Sequence, residues 1–192
     1  SAIRGGRQEG VRSRMTHPVL VGRCDWSGAG TTLGLSAYTG NAAQDGLAAT
    51  PRVTLFDLHG RAQRDGFDLR ALWVRGRLAD AGPLSDALGL VGGERLGERF
   101  GGGYVELSLD LAQDLWPGSR WGLQPYARYE VYDTQDDVPG GAEGPGNART
   151  IVTAGIAVRP HPSVVLKLDR QQRSNDARTE TGQWSAALGW LF

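Results

Sequence analysis

Along most of the chain apolar and polar positions alternate with a period of two, the pattern of a strand with one face in apolar surroundings. The last segment, TGQWSAALGWLF, sets Trp184, Ala186, Leu188, Trp190 and Phe192 on one face and smaller residues on the other. SVVLKLDRQQ divides into Val164, Leu166 and Leu168 against Val165, Lys167, Asp169 and Gln171. RTIVTAGIAV divides into Val152, Ala154, Ile156 and Val158 against Ile151, Thr153, Gly155 and Ala157. WGLQPYARYEVY sets Trp121, Leu123, Pro125, Ala127, Tyr129 and Val131 against Gln124, Tyr126, Arg128 and Glu130. YVELSLDLA opposes Val105, Leu107, Leu109 and Leu111 to Tyr104, Glu106, Ser108 and Asp110. FDLRALWV opposes Phe67, Leu69, Ala71 and Trp73 to Asp68 and Arg70, and segments around 18–26, 31–40 and 52–63 follow the same rule less cleanly. A helical period shows only faintly, from Ala79 to Leu90. These segments predict about nine strands of roughly 9–11 residues, the length a tilted strand needs to cross a bilayer.

The connections alternate in length. Working back from Phe192 they are 175–181, the tight Pro160-His161-Pro162, the long 133–149, then 113–120 and the long 79–100. The tight Arg64-Asp65-Gly66, 41–51 and the short Ser27-Gly28-Ala29-Gly30 complete the series. Outer-membrane barrels show this alternation because periplasmic turns are short and extracellular loops long. The tryptophans fit the same map. Trp26, Trp121 and Trp190 fall at periplasmic strand ends on the apolar face, and Trp73 and Trp184 at outer ends. Amphipathic rings favour the headgroup level, so Trp26, Trp73, Trp121, Trp184, Trp190 and Phe192 are the expected interface aromatics. The expected fold is all-β, an antiparallel transmembrane β-barrel, with residues 1–192 in a single domain. A soluble barrel with inverted faces, holding an apolar ligand inside, is the competing arrangement.

The C-terminal strand, apolar at every second position and ending on Phe192, resembles the terminal signature of bacterial outer-membrane proteins. Five further segments resemble the C-terminal part of porins of the phosphate-selective porin O/P group. They are Gly34–Asn41, Val53–Ala81, Gly102–Leu111, Pro125–Gly141 and Ala157–Gln171, so the resemblance covers most of the chain from Pro18 onward. It implies a 16-stranded homotrimeric channel of which this chain supplies roughly the last nine strands. It also implies recognition of the terminal strand by the barrel-assembly machinery, and a lipid bilayer bearing lipopolysaccharide as surroundings. Parity points the same way. An odd strand count leaves the first strand running from outside to inside, with Ser1–His17 as the tail of an extracellular loop, whereas bacterial barrels have even numbers. Dropping the first segment would leave eight strands from Thr31, a small complete barrel.

Charge sharpens this picture. The chain of 192 residues carries 21 basic and 21 acidic residues, a formal net charge of zero, which argues against nucleic-acid binding. Lys167 is the single lysine and Cys24 the single cysteine, so no internal disulfide is possible. The opening residues lack an apolar leader segment, and no apolar run is long enough for a transmembrane helix. The charges collect on the face opposite the apolar one. Arg23, Asp25, Asp57, His59, Arg61, Asp68, Arg70, Glu106, Asp110, Arg128, Glu130, Lys167 and Asp169 are therefore the expected pore-lining set. A charge on the lipid face near midplane would cost about 2–4 kcal/mol for Arg or Lys. Such a wall either orients permeating solutes or holds itself rigid through internal ion pairs.

The candidate chemistry is thin. Asp57, His59 and Ser108 share a parity, but nothing in the sequence fixes a triad, and Gly-x-Ser-x-Gly is absent around Ser36. The glycine clusters GAGTTLG and GLVGGERLG miss the dinucleotide spacing, and His17, His59 and His161 are too dispersed for a metal site. The acidic run Asp133–Asp137 reads as a solvated loop. No enzyme activity, cofactor or metal is expected. The function these features and the resemblance imply is a passive diffusion channel for small hydrophilic solutes or ions, including anions such as phosphate. The alternative is a non-conducting barrel that anchors or binds at the surface. Two residues sit uneasily: Pro125 inside a strand, and Arg170 on the lipid-facing parity.

Overall fold

A backbone with this alternation satisfies its hydrogen bonds through strand ladders, and the computed structural model, which describes residues 18–41, 51–141 and 143–191, builds nine of them. They are β1 (Val19–Gly28), β2 (Thr31–Asn41), β3 (Arg52–Arg64), β4 (Phe67–Leu78), β5 (Arg99–Leu109), β6 (Gly122–Asp137), β7 (Ala148–His161), β8 (Val164–Asn175) and β9 (Gln183–Trp190). All nine form one antiparallel sheet in sequence order, with β1 and β9 at its two edges. The single-sheet, all-β architecture matches the expectation. Phe192 and Ser1–His17 lie outside the described residues, as does most of the 41–51 connection.

The two ends of the sheet differ. One end carries the tight connections after β1, β3 and β7, together with a short helix α2 (Ala112–Leu115) between β5 and β6. The turn residues Ala29 and Gly30 have φ of 50° and 74°, and Asp65 and Gly66 have φ of 50° and 81°. Two consecutive left-handed residues give the turn whose twist matches the flanking strands. The other end carries the long loops, with helix α1 (Ala81–Ala87) where the faint helical period lay and a 3-10 turn at Gly92–Glu94 beyond it. Strand lengths run from 8 to 16 residues, wider than expected. β6 and β7 extend into the segment read as a 133–149 loop, because polar residues there still pair (Tyr132 with Arg149, Asp133 with Ala148).

What little buried apolar material exists lies near the loop end and beside α2. Ala81, Leu84, Ala112, Val138 and Ala157 are the buried hydrophobic residues among those described. β6 bulges between Asp133 and Asp137, and Gln135 within the bulge is buried. Its side chain donates to the carbonyl of Gly93 at 2.9 Å and accepts from the amide of Gly144 at 2.7 Å, so two long loops are tied together. Ser85 is fully buried, donating to the Ala81 carbonyl at 2.7 Å and accepting from the Leu96 amide at 3.0 Å.

Elsewhere the usual order of burial is inverted. In β3, Phe56 and Leu58 are exposed while Asp57 and His59, alternating with them, are half-buried. In β5, Val105 and Leu107 are exposed while Tyr104, Glu106 and Ser108 are half-buried. A flat sheet would open both faces equally, so this bias places the polar face on the inside of the curvature. The strands are also staggered. The row of cross-strand partners Trp26, Leu33, Gly60, Ala71, Val105, Tyr129, Val152, Gln172 starts near the turn end of β1. It finishes near the loop end of β8, so the strands are tilted against the direction of pairing.

Candidate functional site

The inner face is organised in cross-strand rows, because antiparallel pairing stacks residues of one parity side by side. One row runs Thr32, Arg61, Arg70, Glu106, Arg128, Thr153, Gln171 across seven strands. Asp68, one step toward the turns, is only 5% exposed and receives both Arg61, at 2.6 Å, and Arg70, at 2.9 Å. Arg70 also faces Glu106 at 3.7 Å. Arg128 pairs with Glu130 at 2.7 Å, and its guanidinium lies 3.7 Å from the centroid of the Tyr104 ring. The Arg128 Nε is buried with no hydrogen-bond partner. Every arginine of this row thus has a carboxylate neighbour, and positive and negative charges interleave.

A second group spans β1 to β3. Arg23 Nε donates to Asp25 at 2.6 Å, Asp25 meets His59 Nε2 at 2.8 Å, and His59 Nδ1 meets Asp57 at 2.8 Å. Ser36 closes the chain by donating its hydroxyl to Asp57. Gly34 makes room for this network, since a Cβ there would run into Asp25 and His59. A third group joins Lys167, whose ammonium lies 4.5 Å from the Tyr126 ring, to Asp169, which accepts from the Tyr126 hydroxyl at 2.9 Å. Gly155 lies beneath, where any side chain would strike Tyr126 and Asp169.

Of the expected lining residues, Arg23, Asp57, His59, Arg61, Asp68, Arg70, Glu106, Arg128, Glu130, Lys167 and Asp169 share the inner face through the register. Asp110 lies just past the end of β5, where it binds Arg159 at 2.9 Å and the Ala112 amide at 3.1 Å. Its place is at the turn end, holding α2. Ser36, Tyr104, Tyr126 and Arg159 complete the networks and escaped the charge-based reading; their parity was the available signal. Ser108 lies in register with Asp68 and Tyr126, whereas His59 lies opposite Leu72 and Gly34. Both ring nitrogens of His59 are engaged by carboxylates, so the three residues make no hydrogen-bonded triad. Among the described residues no group of three or more His, Cys, Asp or Glu side chains is arranged to hold a metal.

The outer face is the chemical opposite. Trp26, Trp121, Trp184 and Trp190 are 59%, 51%, 63% and 62% exposed, with Leu33, Leu35, Leu69, Leu107, Leu166 and Leu188 also exposed between them. Trp26 and Trp190 lie near the turn end of their strands and Trp184 opens β9 at the loop end. Trp121 immediately precedes β6 and meets Trp116 edge-on at 6.1 Å. Trp73 is mid-strand, because β4 continues to Leu78; beyond it the outward residues are Arg75 and Arg77, which pair with Asp136 and Glu98. The aromatic ring still marks the level where apolar side chains give way to ion pairs. Arg170 shares the outer face and lies 5.4 Å over the Trp184 ring. Pro125 lies one position past the last β5–β6 pair, Ser108 with Tyr126, so its missing N–H falls where the regular ladder ends; two residues on, the Leu111 amide still donates to the Leu123 carbonyl at 2.9 Å.

No family model and no solved structure matches the chain. It is 25% identical over 193 aligned positions to an uncharacterized protein of Aquifex aeolicus (strain VF5). That alignment covers 97% of this chain and 44% of the relative, so the chain spans less than half the length of the protein it matches.

Proposed function

We propose that this chain is part of the wall of an outer-membrane β-barrel of the porin type, passing small hydrophilic solutes by diffusion. One observation carries the reading: a single continuous sheet turns its large apolar side chains outward and its charged side chains inward. In water, so many exposed leucines and tryptophans in one contiguous field would drive aggregation, since monomeric proteins rarely expose patches beyond a few hundred Å². In hydrocarbon the same field is the favourable surface. The stagger of the strands supports a barrel, whose closure requires tilted strands. The ring of charge inside supplies a wet, oriented wall with no chemistry to perform.

Direct closure of β1 on β9 is disfavoured. In an antiparallel meander the first and ninth strands run the same way, so the seam would be parallel. An all-antiparallel barrel needs an odd number of further strands between them, and seven would give sixteen. The eight-strand barrel starting at β2 is disfavoured too, because β1 pairs with β2 along its whole length from Val19 to Gly28. Since carboxylates neutralise the arginines of the inner row, the wall is expected to discriminate by size and only mildly by charge. That same pairing supports the second reading, a non-conducting barrel whose interior is locked by ion pairs and whose tied loops meet partners.

Reconstitution of the full-length protein into planar bilayers decides between them. Stepwise conductance is expected. Insertion without conductance would leave the anchor, and a monodisperse species in detergent-free buffer would remove both.

A further inference from the structure

Arg70, Glu106 and Arg128 stand directly opposite one another on β4, β5 and β6, side by side on the inner face. The two cations are drawn apart along their strands. Arg70 is held toward the turn end by Asp68, which accepts from its Nε at 3.3 Å and from its Nη2 at 2.9 Å. Arg128 is held toward the loop end, where its guanidinium lies 3.7 Å from the centroid of the Tyr104 ring and meets Glu130 at 2.7 Å. Glu106 is left between them. The ion pair it makes, with Arg70 Nη1, is 3.7 Å long, outside hydrogen-bond distance. Among the described residues its carboxylate accepts no side-chain hydrogen bond. Glu106 is half-buried, so a charge with reduced hydration keeps its acceptor positions open.

We infer, resting on the channel reading above, that this row is a binding station for zwitterionic solutes of the α-amino acid class. Sign selects the occupant. An anion drawn to Arg70 or Arg128 meets Asp68, Glu106 and Glu130 beside them. A cation drawn to Glu106 has a guanidinium on either side. An uncharged solute of the same size gains only neutral hydrogen bonds, about half as strong as charge-assisted ones. A zwitterion satisfies both signs at once, its ammonium on Glu106 and its carboxylate on Arg70 Nη1 or on Arg128. Neighbouring strands lie about 4.8 Å apart, so the opposite charges of the row stand side by side. Those of an α-amino acid stand side by side too, across a single carbon. The contact is open to the lumen on one side, so it holds a passing solute and releases it, as permeation requires.

The test is the swelling of vesicles bearing the full-length protein in iso-osmotic alanine or lactamide at neutral pH. The two solutes are isomers, one zwitterionic and one uncharged, so pore width does not separate them. Alanine should enter about threefold faster, the size expected of one exposed ion pair. Glu106→Gln keeps the shape and removes the charge, and should bring the two rates together. Glu94→Gln, the same change on the exposed 3-10 turn, should leave the wild-type ratio. In planar bilayers alanine should lower the wild-type ion current with rising concentration, whereas lactamide and lactate should not; this measurement needs no variant. Equal entry of alanine and lactamide, or a ratio that survives Glu106→Gln, overturns the inference and leaves the channel standing. Block by lactate as strong as by alanine overturns it in favour of plain anion binding. Vesicles that swell in neither solute overturn the channel reading itself.

Discussion

Asp68 is the residue on which the inner arginines of β3 and β4 converge. It is nearly buried and accepts hydrogen bonds from Arg61 and Arg70, which are themselves half-exposed. Asp68→Ala should destabilise the refolded protein by about 1.5 kcal/mol, the low end for charge-assisted bonds, since both guanidiniums can rehydrate. Urea unfolding in micelles measures this, and an unchanged midpoint would show the pairs to be idle. Arg70 and Arg128 test the proposed channel directly. A fixed charge in a wet pore acts over about a Debye length, roughly 8 Å at physiological salt. Replacing both with Glu should shift single-channel selectivity toward cations, with the shift fading at molar salt. Channels with unaltered selectivity would mean these side chains lie away from the permeation path. Parity and charge in the sequence located this face, because strand side chains must alternate. They did not reveal the partners: that Ser36 serves Asp57, or that Tyr104 underlies Arg128, depends on register, which no single strand encodes.

At the scale of the element, the turns are more tightly specified than the strands. Ala29 occupies a left-handed conformation that costs an L-residue about 1–2 kcal/mol. Ala29→Gly should therefore raise stability by about 0.5 kcal/mol after glycine's entropic cost. Gly66→Ala should lower it by about 1–2 kcal/mol, as φ is 81° and the new methyl would approach the Asp110 carbonyl at 3.3 Å. Opposite signs at two turns of the same type are checked by paired thermal melts. All nine strands were legible because alternation runs through the middle of each, less cleanly in β1 to β3. Their ends were not. β6 runs on through Tyr132–Asp137 in polar residues, where pairing with β7 and a bulge decide the structure and hydropathy is silent. For the same reason Trp73, placed at a strand end by hydropathy, proves to be followed by five more strand residues with outward arginines.

For the whole molecule, the outward apolar field makes a prediction that needs no activity. Cys24, the lone cysteine, is exposed on the outer face beside Leu35. In vesicles it should react with a lipid-soluble maleimide and resist a sulfonated one, whereas in aqueous surroundings both would react alike. Equal labelling by the two reagents in vesicles would contradict the lipid-facing assignment. Every pairing in the sheet joins strands adjacent in sequence, and this has a kinetic meaning. Each new strand finds its partner one connection away, so the loop-closure entropy opposing each step stays small and nearly constant. The wall can grow like a zipper from either free edge, with a growth front that never waits for a distant segment. On the proposed barrel reading, only the closing seam would join strands far apart in the chain. That seam should set the rate of assembly.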